Sequence, residues 1–243
     1  MNSTSETGHA RNVANANLFN SYAANLGAIY KPSNPELELA KLQTIYTKAF
    51  AEQEEVNTTL PPYTLAVKAR QAVFAPINKK LTKLEKAYKT TTGVTAAQME
   101  NFQTIARKIK GTRKDPPAAP TPPATQPDSH SVSQLSFDQR TNNYGQLIEL
   151  FNNTPNYGPN EEEYTIPILQ DERSQMRQTT QQVAETYFPL SQARTRRNET
   201  LYTNDNNLVD TFNLAKDYIS LILDKKSPEY KAFAKLKFKK IES

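Results

Sequence analysis

The sequence predicts an all-α protein of two tandem antiparallel four-helix-bundle-like repeats joined by a proline-rich linker. Three observations carry this expectation. First, Tyr30-Lys-Pro32-Ser-Asn34-Pro-Glu36 opens one apolar-periodic stretch, and Tyr157-Gly-Pro159-Asn160-Glu161 opens another 127 residues later. Keeping that offset sets Leu42 on Leu169, Arg70 on Arg197, Phe74 on Leu201 and Leu81 on Leu208. A period this long points to duplicated domains rather than to a solenoid of short units. Second, only 6 of the 243 residues are glycine, which disfavours tight hairpins and phosphate-cradling loops that need positive φ. Third, apolar residues recur at spacings of three and four, the signature of amphipathic helices.

In the first repeat, Leu18, Phe19, Tyr22, Leu26 and Ile29 mark one helix. A second is expected from Asn34 as N-cap, with Pro35 at the first helical position and a stripe of Leu39, Leu42, Ile45, Tyr46, Ala49 and Phe50. A third carries Leu65, Ala69, Val73, Ile77, Leu81, Leu84 and Tyr88. Thr95-x-x-Gln98 has the form of a capping box before Met99, Phe102, Ile105 and Ile109.

The second repeat follows the same plan. Ser136-x-x-Gln139 precedes Tyr144, Leu147, Ile148 and Phe151, and the next helix is expected from Asn160 to about Tyr187. Another is expected near Pro189, with Ala193, Leu201, Leu208, Phe212, Ala215, Ile219 and Ile222. The last, capped by Ser227, carries Tyr230, Phe233 and Leu236. Pro76 interrupts the third helix, and its counterpart Thr203 opens the polar run Thr203-Asn-Asp-Asn-Asn207. Proline removes a backbone donor, and Asn/Asp side chains compete for backbone bonds, so a bend is expected at this site in both repeats.

The expected division is a disordered tail over 1–12, a first repeat over 13–114, a linker over 115–133 and a second repeat over 134–243. Half of the residues from Pro116 to Pro127 are proline, a composition that propagates no helix and reads as a spacer. The net charge of +5 is uneven: residues 1–114 hold 16 Lys and Arg against 8 Asp and Glu, while residues 129–243 hold 14 against 15. Cysteine is absent, which removes disulfides and thiolate metal sites. The first residues lack a basic and apolar leader pattern, and no run approaches the length of a membrane-spanning helix. A cytoplasmic protein is the expectation.

No catalytic, cofactor or metal-ligating set emerges. His9 and His130 sit in the polar amino-terminal segment and the linker and read as surface histidines. The run Glu161-Glu162-Glu163 suits the positive end of a helix better than a metal. Phosphate-binding and nucleophile-elbow fingerprints are missing. The candidate functional residues are basic: Lys79, Lys80 and Lys83; Arg107, Lys108 and Lys110; and Arg194, Arg196 and Arg197. Such clusters neutralise phosphates, but cations also gather at helix C-termini because the dipole and orphan carbonyls favour them. The cluster Lys235-x-Lys237-x-Lys239-Lys240 is open to both readings.

Several segments in combination resemble a group of duplicated, all-helical, intracellular proteins from Bacteroidota. They are Tyr30-x-Pro32, Arg107-Lys108-Ile-Lys-Gly111, Ser131-Val-Ser-Gln-Leu-Ser-Phe-Asp138, Tyr157-x-Pro159-Asn160-Glu161 and Ser227-Pro-x-Tyr230-Lys with Lys235-Leu-Lys-Phe238. The resemblance implies the duplicated helical architecture and carries no activity. The expected function is that of a structural or protein-interaction protein, self-association included, without cofactor or membrane partner. The alternative is a nucleic-acid-associated protein binding through the basic first repeat.

Overall fold

The computed structural model describes residues 4–111 and 136–241, with side chains from residue 7 onward. The described residues form helices α1 (Thr4–Leu26), α2 (Leu39–Phe74), α3 (Ile77–Lys89), α4 (Ala96–Lys110), α5 (Phe137–Asn152), α6 (Ile166–Asn198), α7 (Leu208–Ile222) and α8 (Pro228–Lys235). No strand occurs among them. The all-α expectation holds. The linker and His130 lie outside the described residues.

The chain forms two compact units, one of residues 1–63 with 186–243 and the other of residues 64–185. Each unit takes half of each sequence repeat. In unit 1, Phe19 packs edge-on against Phe212 and Phe233, with ring centroids 5.3 and 5.0 Å away. In unit 2, Phe74 meets Phe137 at 4.8 Å and Tyr88 meets Phe151 at 5.2 Å. Apolar residues from the first half of the chain are therefore buried in part against residues of the second half. Periodicity identifies a buried face but is silent on what buries it.

Two pairs of expected helices are single helices. Pro61 and Pro62 lie inside α2, and Pro189 lies inside α6. An interior proline leaves the carbonyl four residues earlier without a donor. Here those residues, Asn57, Thr58 and Glu185, are exposed, which leaves the orphaned carbonyls open to solvent. Along the two helices, Leu42, Ala49 and Val56 and then Leu169, Met176, Val183 and Leu190 are buried. That seven-residue spacing, two helical turns, keeps these residues on one face of each helix.

Helix is interrupted near both sites where a bend is expected. Helix α2 ends at Phe74 and α3 starts after Pro76. In the second repeat α6 runs into a π-helical turn, Glu199–Thr203, and α7 starts after Asn207, whose side chain accepts from Asp210 N at 3.0 Å.

The loop entering each long helix explains the repeated Tyr-x-Pro opening. Tyr30 Oη donates to Leu37 O at 2.8 Å, and Tyr157 Oη donates to Tyr164 O at 2.9 Å. Each tyrosine ties off a short 3₁₀ turn, Pro35–Leu37 or Glu162–Tyr164. Both long helices consequently start later than expected, at Leu39 and Ile166. Asn34 does cap as expected, but it caps the 3₁₀ turn, accepting from Glu36 N. The cap at Thr95 is a complete capping box, and Ser136 and Ser227 cap α5 and α8.

The amino-terminal segment also differs from expectation. Helix α1 begins at Thr4, and His9 is buried, with Nδ1 2.6 Å from Tyr202 Oη. Asn12 beside it is buried too and donates to Lys239 O at 2.8 Å. Polar side chains with interior partners anchor a segment whose composition alone reads as tail.

Candidate functional site

Unit 2 holds a groove of about 700 Å³ between α4, α5 and the start of α6. Four amide side chains line it together with Ile105 and Leu150: Asn101 from α4, and Asn142, Gln146 and Asn153 from α5 and its C-terminal end. Each amide offers both donors and an acceptor. Lys108, Glu149 and Arg173 supply the charges.

Arg173 owes its position to Gly145. A Cβ built at residue 145 falls 2.3 Å from the Arg173 guanidinium carbon, so any other residue forces the arginine off α5. Glycine inside a helix costs about 1 kcal/mol relative to alanine, and close approach of the guanidinium gives it a reason here. Arg173 Nε is buried without a hydrogen-bond partner. The groove thus places amide donors and acceptors beside a half-buried cation. An isolated glycine within a helical pattern is the sequence signal for such an approach.

Unit 1 holds a different polar group below the π-helical turn. Arg197 is 2 % exposed, with Nε and Nη2 3.2 and 3.0 Å from Asn198 Oδ1. Gln53 and Thr200 are also buried. Burial raises the pKa of Glu52, and its Oε2 has no hydrogen-bond partner. π-Helical turns recur at functional sites because they displace side chains from the regular helical register.

The nine basic candidates are divided between the units and do not form one surface. Lys79, Lys80, Lys83, Arg107, Lys108 and Lys110 belong to unit 2, and Arg194, Arg196 and Arg197 to unit 1. Lys80 pairs with Glu172, whose other oxygen accepts from Tyr144 Oη at 2.6 Å. Arg196 pairs with Glu55, and Arg107 Nη2 donates to Thr104 Oγ1 at 2.9 Å. Arg197 is buried and Arg194 and Lys110 are half-buried. Lys79, Lys83 and Lys108 are exposed, and Lys108 alone of the nine lines the groove.

Among the described residues no group of three or more His, Asp or Glu side chains is placed to hold a metal. No described helix is long and apolar enough to cross a membrane. No family model, curated protein or solved structure matches the chain.

Proposed function

We propose that this chain is a structural or protein-interaction protein that acts by association, with self-association through its repeats as one form. The observation that carries this reading is that each compact unit builds its core from two segments far apart in the sequence. The core of unit 1 joins Phe19, Leu42 and Ala49 to Leu208, Phe212 and Phe233. The core of unit 2 joins Leu81, Tyr88 and Phe102 to Leu147, Phe151 and Leu169. A segment whose apolar face needs a distant segment to cover it is an association module, and a second copy of the chain presents the same face. The amide groove beside Arg173 adds a surface with the donors and acceptors that a polypeptide backbone requires.

The nucleic-acid alternative draws little support from the placement of its residues, since Lys80 and Arg196 are spent on Glu172 and Glu55. A cytoplasmic setting and kinship with the Bacteroidota group belong to the same proposal. Light scattering during size-exclusion chromatography tests it, at low and high salt and over a range of loading concentrations. A mass that rises with concentration above the 27.4 kDa of one chain, in both buffers, is the expected result. A monomer throughout, with no protein captured by the immobilised chain, contradicts it.

A further inference from the structure

Beyond α8 the chain changes period. Leu236 and Phe238 are buried at 5 % and 6 % exposure, while Lys235, Lys237 and Lys239 are exposed. Alternation with a period of two is the mark of extended chain with one face in a core. Its carbonyls are held by side chains of α1 and α7. Asn15 Nδ2 donates to Lys237 O at 2.9 Å and Asn12 Nδ2 to Lys239 O at 2.8 Å. Asn213 Nδ2 donates to Phe238 O at 3.4 Å, and Lys216 Nζ donates to Leu236 O. Asn12 Oδ1 also accepts from Lys239 N at 3.2 Å. The segment is fastened on both edges, and the lysines are held in register.

The three lysines and Arg11 of α1 line a depression of about 410 Å³, together with Gly8, Asn12, Asn15 and Ile241. Gly8 is part of the construction, because a Cβ there falls 2.8 Å from Ile241 Cδ1. None of the lining residues is acidic. Neighbouring Lys240, by contrast, is neutralised by Asp210 at 2.7 Å. Helix-dipole chemistry does not account for the cluster. It reaches Lys235 in the last turn of α8, but its effect fades within that turn. Lys237 and Lys239 lie past the helix end, and Arg11 lies mid-helix.

We propose that this depression binds a compact anion carrying two or more adjacent phosphate groups. Four cations fixed around one concavity repel one another until an anion occupies it, and lysine ammoniums bind phosphate as point charges. The volume lies within the range of small-ligand sites. A long single-stranded nucleic acid fits less well, because such sites pair a basic groove with exposed aromatic faces for base stacking, and Phe238 is turned into the core.

The test is calorimetric titration of the full chain with inorganic tripolyphosphate, with ATP in a parallel arm. Saturable binding that weakens between 50 and 200 mM salt is expected (concentrations of about the range over which counterion release is read). The double variant Lys237→Ala/Lys239→Ala should weaken it about tenfold or more, while Lys225→Ala/Lys226→Ala, with the same loss of charge elsewhere, leaves it unchanged. Both variants alter exposed side chains, and unchanged helical content and melting confirm the fold. Equal affinity for ATP and tripolyphosphate identifies the phosphate chain as the recognised group, and tighter ATP binding adds a nucleoside contact. The proposal is overturned if neither ligand binds saturably or if the control variant loses as much affinity. It is also overturned if a single-stranded oligonucleotide binds the site and tripolyphosphate does not displace it.

Discussion

The two compact units close with different elements. Unit 2 ends its half of the first repeat with α4, a helix of 15 residues with Phe102, Ile105 and Ile109 buried and Gly111 in the left-handed conformation as its cap. Unit 1 ends with α8, only 8 residues long, followed by the extended segment from Leu236. Side chains of α5 and α1 fasten these unlike partners. Arg140 Nε donates to Ile109 O at 3.1 Å, and Asn12 Nδ2 donates to Lys239 O at 2.8 Å. Their cores differ as well. Phe19 is a hub of edge-on contacts in unit 1, whereas Phe151 stacks on Tyr157 at 4.3 Å and 6° in unit 2. The form of the closing element therefore follows the local sequence. A spacing of three and four closes with a helix, and a spacing of two closes with extended chain.

Truncating the two hubs tests the comparison most severely. Phe19→Ala and Phe151→Ala each remove a fully buried ring and should cost about 3–5 kcal/mol. Hydrogen exchange locates the damage: loss of protection in α1 and α7 is expected for the first variant, and in α4 and α5 for the second. Damage spread equally over both units in both variants breaks the division into two cores. Asn12→Ala comes next. It removes a two-point attachment of the extended segment and a contact at 3.3 Å to Tyr202, at a cost of about 1–3 kcal/mol. Limited proteolysis should then trim the segment past α8 and spare α4.

The matched tyrosines give a pH test. Burial raises the pKa of both Tyr30 and Tyr157 above that of an exposed phenol. Above about pH 10 the unfolded chain loses these protons while the folded chain keeps them, so stability falls as pH rises. Each tyrosine contributes a slope approaching about 1.4 kcal/mol per pH unit. Tyr30→Phe and Tyr157→Phe should each flatten the alkaline limb by a similar amount, measured by urea denaturation at pH 9 to 11 (values about the phenol range). A flattening by one and not the other separates the two loops. The smallest effect is expected at Thr95→Ala, which loses the capping box of α4 for about 1 kcal/mol.

Much of the local structure was legible, because caps and periodicity are encoded within a few residues. Asn34, Thr95, Ser136 and Ser227 all cap, and Pro76 and the run from Thr203 both interrupt helix. Pro189 misled, since it lies inside α6 rather than at a helix start, and an interior proline bends a helix or ends it. His9 misled because its partner, Tyr202, is 193 residues away. Sequence distance also hid which segments share a core: periodicity marks a buried face but not what covers it. At the candidate groove, Lys108 was readable as a basic residue, while Arg173 acquires its meaning only from Gly145 across the interface of α5 and α6.

Separate coexpression of chains 1–114 and 129–243, with a tag on one, tests the shared-core architecture most directly. Both compact units need both chains, so the account predicts a 1:1 complex that melts with the helical content of the intact protein, and neither chain folding alone as a monomer. Two chains that purify apart as separately folded helical monomers would contradict it, and would restore two independent bundles in tandem.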